Sequence, residues 1–263
     1  MKHRFIVAAI LAISTVLPAA AQGTVTDLGS EAGGRISAEA DYKVSKGFHL
    51  SAGMELRTRD NFSSLGRVQA SLALSYKFTK WLKGSAGYVF MENKNSSAVW
   101  KPRHRAYADL TGTLRSGDWR FSLKERLQLT HRSGSNIYQT TPNALASKTR
   151  LKVSYKGFGS VSPYACAEFR VALNDPACSA TWDGSAYSNY SFLGYNDVYL
   201  NRVRGSLGAE WKLDKRNSLD FFLLGDWCHD KAIDTNKEGT KLKSLTWEKG
   251  FLGSICLGYK FSF

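Results

Sequence analysis

From Gly34 to its C-terminus the chain is written in segments of about ten residues in which apolar and polar side chains alternate one for one. In Arg67 to Phe78, one face carries Val68, Ala70, Leu72, Leu74, Tyr76 and Phe78, and the other Arg67, Gln69, Ser71, Ser75 and Lys77. A period of two is the mark of a strand, whose successive side chains point to opposite faces. The same split runs over Gly34 to Val44, Phe48 to Arg59, Leu82 to Phe90, Ala106 to Leu114, Trp119 to Leu129 and Leu151 to Tyr155. It continues over Pro163 to Leu173, Val203 to Leu213, Leu219 to Trp227 and Phe251 to Phe263. About ten residues is also the length a tilted strand needs to cross the hydrocarbon of a bilayer.

A soluble sandwich alternates too, and three features favour a membrane barrel. The connections alternate between tight (Ser45-Lys46-Gly47, Thr79-Lys80, Ser116-Gly117-Asp118, Asp214 to Asn217) and long (Asp60 to Gly66, Glu92 to His104, His131 to Lys148, Asn174 to Asn196, His229 to Ser244). Outer-membrane barrels have short periplasmic turns and long outer loops. Phe78, Trp81, Phe90, Trp119, Trp211 and Trp227 fall at strand ends, where amphipathic rings form interfacial girdles. The last strand ends on Phe263, as barrels inserted by the outer-membrane assembly machinery do.

These features predict an all-β, antiparallel up-and-down transmembrane β-barrel. The segments number eleven, whereas bacterial barrels normally have an even count. Twelve strands are expected, with Thr24 to Glu31 as the twelfth, and ten is the alternative. At the N-terminus, Lys2, His3 and Arg4 precede an apolar run from Phe5 to Leu17 and a small-residue stretch ending at Ala21. This is the pattern of a secretory signal peptide over residues 1–21. Residues 22–263 then form a single barrel domain in a bacterial outer membrane, and loss of Lys2 and Arg4 takes the formal charge from +14 to +12.

In a barrel the polar phase turns inward. Glu39, Asp41, Glu55, Arg57, Asp109, Lys124, Arg126, Glu168, Arg170, Arg202, Arg204 and Glu210 then line the lumen, both signs interspersed. Unpaired charges are too costly to bury. The expectation is a narrow, mixed-charge lumen, either an ion-paired filling or a small-solute passage tuned by charge. Glu125 breaks the pattern, falling on the lipid-facing phase between Leu123 and Leu127, which implies a bulge, an interfacial depth or a protein partner.

Four cysteines in an exported chain, with no Cys-x-x-Cys pair, suit disulfides better than metal. Cys228 and Cys256 fall on inward phases of adjacent strands and are the candidate bond, whereas Cys166 and Cys178 are too far apart to pair. His49, His104 and His229 are scattered without metal-ligand spacing, and neither cofactor nor metal is expected. His131-Arg132-Ser133 resembles the His-x-Ser pair of outer-membrane phospholipases. An alternative function is therefore lipid hydrolysis with Ser133 as nucleophile, His131 as base and Asn136 as orienting group. Basic residues including Lys80, Lys83, Lys101, Arg103, His104, Arg105, Arg150 and Lys231 are expected at strand ends and loops. There they pair with phosphates of membrane lipids and lipopolysaccharide or keep the loops soluble, and nucleic acid is not an expected partner.

Four runs, Leu56 to Asn61, Trp100 to Leu110, Phe121 to Gln128 and Tyr199 to Gly205, resemble a group of Bacteroidetes outer-membrane barrels, domain of unknown function 2490. The resemblance implies an outer-membrane barrel without established activity and carries over no catalytic residue. The four cysteines and the segment around Asn174 to Asn196 depart from it.

Overall fold

The computed structural model describes residues 24–95, 97–134 and 136–263. The proposed signal segment, residues 1–21, lies outside them. The described chain folds into eleven strands: β1 (Thr24–Ser45), β2 (Phe48–Arg59), β3 (Ser64–Lys77), β4 (Leu82–Lys94), β5 (Trp100–Ser116), β6 (Trp119–Arg132), β7 (Asn143–Tyr155), β8 (Val161–Trp182), β9 (Tyr187–Lys212), β10 (Asn217–Thr235) and β11 (Leu242–Ser262). Each pairs with its chain neighbour in antiparallel fashion, and β1 closes on β11 to complete a barrel.

The expected strand count is corrected by one, and the pairing is mixed rather than wholly antiparallel. In an up-and-down meander strand directions alternate, so the first and last of an odd number run the same way. β1 and β11 accordingly pair in parallel, from Thr24↔Thr246 to Asp41↔Ser262. Thr24 to Glu31 is no twelfth strand but the first part of a 22-residue β1. A register shift between Asp27 and Ser30 falls within it. There Gly29 takes φ +76° and its amide donates to Asp27 Oδ1 at 2.8 Å, a local irregularity that hides the alternation.

The tight connections share one end of the barrel with Phe263, and the other end carries the connections after β2, β4, β6, β8 and β10. That second set is shorter than expected: Asn174 to Asn196 is almost all strand, with only residues 183–186 joining β8 to β9. Alternation fades there because register shifts between Ala172 and Asp175, Asp175 and Ala177, Ala177 and Cys178, and Ser179 and Thr181 break the period of two. Asp214 organises the turn after β9, accepting from Asn217 Nδ2 and from the amides of Arg216 and Asn217, each at 2.7 Å. These bonds, that of the Asn217 side chain foremost, hold its carboxyl below the usual range.

Above the pair Cys228↔Arg202, β9 and β10 part company. β9 continues against β8, and β10 against β11, as two projecting hairpins. They meet through Ile233, Leu242 and Leu245, which pack with Cys178, Ala180, Tyr187 and Tyr190. This cluster is the conventional hydrophobic core among the described residues. Elsewhere apolar side chains face outward: Leu207 is 68% exposed and Trp227 64%, with Leu72, Leu110, Leu114, Phe221 and Leu223 also bare. A contiguous apolar exterior of this extent marks a surface that does not face water.

Candidate functional site

The inward phase gathers its charges into three clusters, two of them linked by Arg204. Asp109 on β5, its side chain only 2% exposed, takes a bidentate bond from Arg126 on β6 (Nε–Oδ1 2.6 Å, Nη2–Oδ2 2.8 Å), with Lys124 Nζ at 3.5 Å. Arg126 lies over the Tyr107 ring, its guanidinium carbon 3.8 Å from the centroid. Tyr107 has room because its ladder partner is Gly87, where a Cβ would fall 2.5 Å from the ring. Glu168 on β8 accepts from Arg150 (2.6 Å), Lys148 (3.0 Å) and Arg204 (3.0 Å). Arg204 also reaches Asp226 on β10 at 2.9 Å, and Asp226 has Arg35 and Arg202 at 3.6 Å.

The remaining residues of the expected lumen set, Arg170 apart, form separate pairs. Glu39 binds Lys260 at 2.6 Å, Asp41 has His49 Nδ1 at 3.3 Å, Glu55 pairs with Arg57, and Glu210 takes Lys152 (2.6 Å) and Lys156 (3.1 Å). Arg170 has no carboxylate partner among the described residues. The alternation reading leaves out Asp226, although its position between Leu224 and Cys228 on the inward phase of β10 marks it. Arg103, Arg105 and Arg150 were expected at the rim and instead line the lumen, because β5 and β7 begin earlier than their alternation suggests.

Two cavities occupy the lumen. One, of about 460 Å³, lies toward the tight-turn end; the other, of about 320 Å³, lies toward the loop end. Arg57, Arg105, Lys148 and Arg204 line both and form a basic belt where they adjoin. The loop-end cavity is lined by ten basic side chains against two acidic ones. Its cations also stand beside one another: Arg103↔Arg132, Arg57↔Arg67 and Arg170↔Arg202 are direct cross-strand pairs. Like charges directly opposite each other destabilise a sheet.

The connection between β6 and β7 roofs this cavity with Gln139, Thr140 and Thr141. It leans across to the projecting hairpins. Gln139 Nε2 donates to Asp234 Oδ1 at 2.8 Å, Tyr195 OH donates to the Ile137 carbonyl at 2.8 Å, and the Tyr138 ring meets Phe192 edge-on. Tyr138 also lies against Gly239, which has φ +66° and where a Cβ would fall 2.3 Å from the ring.

Several expected features do not come together. Cys228 pairs with Gly250 and Cys256 with Phe222, so six ladder positions separate them. At about 3.4 Å per residue that is roughly 20 Å, far beyond disulfide reach, and all four cysteines are free thiols. Cys178 is drawn into the hairpin core. His131 Nδ1 contacts Asn143 Oδ1 at 2.9 Å, and no hydrogen bond joins His131 to Ser133. Asn136 is engaged elsewhere, its Oδ1 accepting from the Tyr138 amide at 3.0 Å and its Nδ2 donating to the Asn236 carbonyl at 3.4 Å. Glu125 does face outward, without a bulge: Ser147 and Thr149 on β7 donate to its two carboxylate oxygens, Thr149 at 2.6 Å.

Fold and lumen together define a closed β-barrel with an apolar exterior and a charged, cavity-bearing interior. The chain belongs to the family described as "Protein of unknown function (DUF2490)", whose profile matches residues 36–237. A search of curated proteins finds no match. Among solved structures it is similar to "Outer-membrane expressed OmpT of Vibrio cholerae", at 14% identity and a TM-score of 0.37. The match covers 79% of this chain and 58% of that one, so the chain spans under two thirds of its length.

Proposed function

We propose that the protein lies in a bacterial outer membrane, loop end outward, and acts as a narrow passage for small anionic solutes. The observation that carries this reading is the excess of basic over acidic side chains around the loop-end cavity, with cations paired directly against cations. A structural filling would pair its charges, as the lumen does around Asp109, Glu168 and Asp226; guanidiniums without a carboxylate partner favour anions entering from solvent. Membrane residence is supported by the apolar exterior and by strands of 12 to 14 residues in β2, β3, β4 and β6, long enough to cross the hydrocarbon. Burial in lipid turns that exterior from a liability into the main source of stability.

The reading is tested in liposomes loaded with a chloride-quenched dye. Proteoliposomes should lose fluorescence on external chloride addition faster than protein-free liposomes. Equal rates, with the barrel shown folded by heat-modifiable gel migration, would overturn passage.

A further inference from the structure

The loop-end cavity holds more than positive charge. Arg132 Nε and Arg170 Nε are buried there without a hydrogen-bond partner. Among the described residues, which include every Asp and Glu of the chain, neither guanidinium has an ion-pair partner, and neither do Arg67, Arg103 or Arg105. Buried donors left unsatisfied are costly, and a ligand oxyanion is the group that would satisfy several at once.

The same walls present neutral acceptors. Asn201 spends its Nδ2 on Asp230 Oδ1 at 2.8 Å, leaving Oδ1 buried and unpartnered. Gln128 Oε1 is likewise buried and unpartnered. Carboxamide oxygens cannot bond an oxyanion; they require a hydroxyl or N–H donor. An occupant that satisfies both sets therefore carries an oxyanion at one end and hydroxyls at the other. About 320 Å³ suits a small molecule of monosaccharide size. The roof of Gln139, Thr140 and Thr141 adds further polar groups suited to a polyol and leaves no broad apolar wall for a lipid chain.

We propose that this cavity is a binding site for an acidic monosaccharide, a sugar bearing a phosphate or carboxylate. Its oxyanion is held between Arg132 and Arg170, and its hydroxyls donate to Asn201 and Gln128. The site deepens the reading of the lumen as an anion route and would be a selective step on it.

The test is isothermal titration of the refolded full chain in detergent with glucose 6-phosphate, glucuronate, glucose and inorganic phosphate. Glucose 6-phosphate or glucuronate should bind saturably with one-to-one stoichiometry and more weakly as salt is raised, glucose should give no saturable heat, and the tighter of the two acids identifies the oxyanion. Arg132→Gln combined with Arg170→Gln should weaken binding about tenfold or more, the loss expected for charge-assisted hydrogen bonds. That variant relieves like-charge repulsion, so folding should persist, with gel migration as the check. Asn201→Ala should weaken sugar-acid binding and leave inorganic phosphate unchanged. No saturable heat with either acid, or wild-type affinity in the arginine variant, overturns the site. Phosphate binding as tightly as glucose 6-phosphate, with Asn201→Ala affecting neither, overturns the sugar assignment. Chloride flux without sugar-acid binding defeats this inference alone, whereas binding without flux defeats the passage reading alone.

Discussion

Arg103 on β5 and Arg132 on β6 stand directly opposite each other across the ladder, both turned into the lumen. Among the described residues no carboxylate forms an ion pair with either. A like-charged pair directly opposite destabilises a sheet. Arg103→Gln and Arg132→Gln should each raise the urea midpoint of the refolded barrel slightly, and the double variant should gain less than the two single gains together. Strict additivity would show that the two guanidiniums do not feel each other.

Asp226 carries the opposite expectation. Its side chain is 2% exposed and it faces three guanidiniums, those of Arg35, Arg202 and Arg204. Removing one member of a buried ionic network leaves its partners uncompensated, at a cost of about 3 kcal/mol or more. Asp226→Ala should lower the unfolding midpoint strongly. Glu39→Ala breaks a bond to Lys260 whose partners are nearly half exposed, and should cost under about 1 kcal/mol. Comparable losses in the two variants would place Asp226 outside the network.

All four cysteines should react with a maleimide after denaturation without reductant, giving a mass increase of four labels. Two labels would indicate a disulfide and would require a register between β10 and β11 other than Cys228↔Gly250.

Glu125 is held on the outer wall by Ser147 and Thr149. A charge facing lipid costs up to a few kcal/mol at mid-depth, less for an acid. Glu125→Leu should therefore raise resistance to denaturant in lipid bilayers. Lower stability would show that this wall meets protein instead.

The barrel is legible because an apolar exterior and a charged lumen impose strict alternation, as in Arg67 to Phe78. Beyond the closed barrel the rule ends, and so alternation does not follow β8 past Leu173 or β9 before Val203, although they continue to Trp182 and from Tyr187. Parity misleads in a different way: the eleven alternating segments correspond to the eleven strands, and the parallel seam of β1 and β11 makes a twelfth unnecessary. Inward direction could be read for Asp109, Arg126, Glu168 and Arg204, since it follows from phase alone. Partner choice could not, because it depends on barrel stagger: Arg204 bridges Glu168 and Asp226, strands β8 and β10, only once register is set.

The central claim, a lumen that prefers anions because its guanidiniums outnumber its carboxylates, is measured by the reversal potential of the refolded barrel in a planar bilayer under a potassium chloride gradient. The account predicts a potential displaced toward the chloride equilibrium value, moving toward the potassium value when Arg103 and Arg132 are both replaced by Glu. A wild-type potential at the potassium side, or one unchanged in that variant, would contradict it.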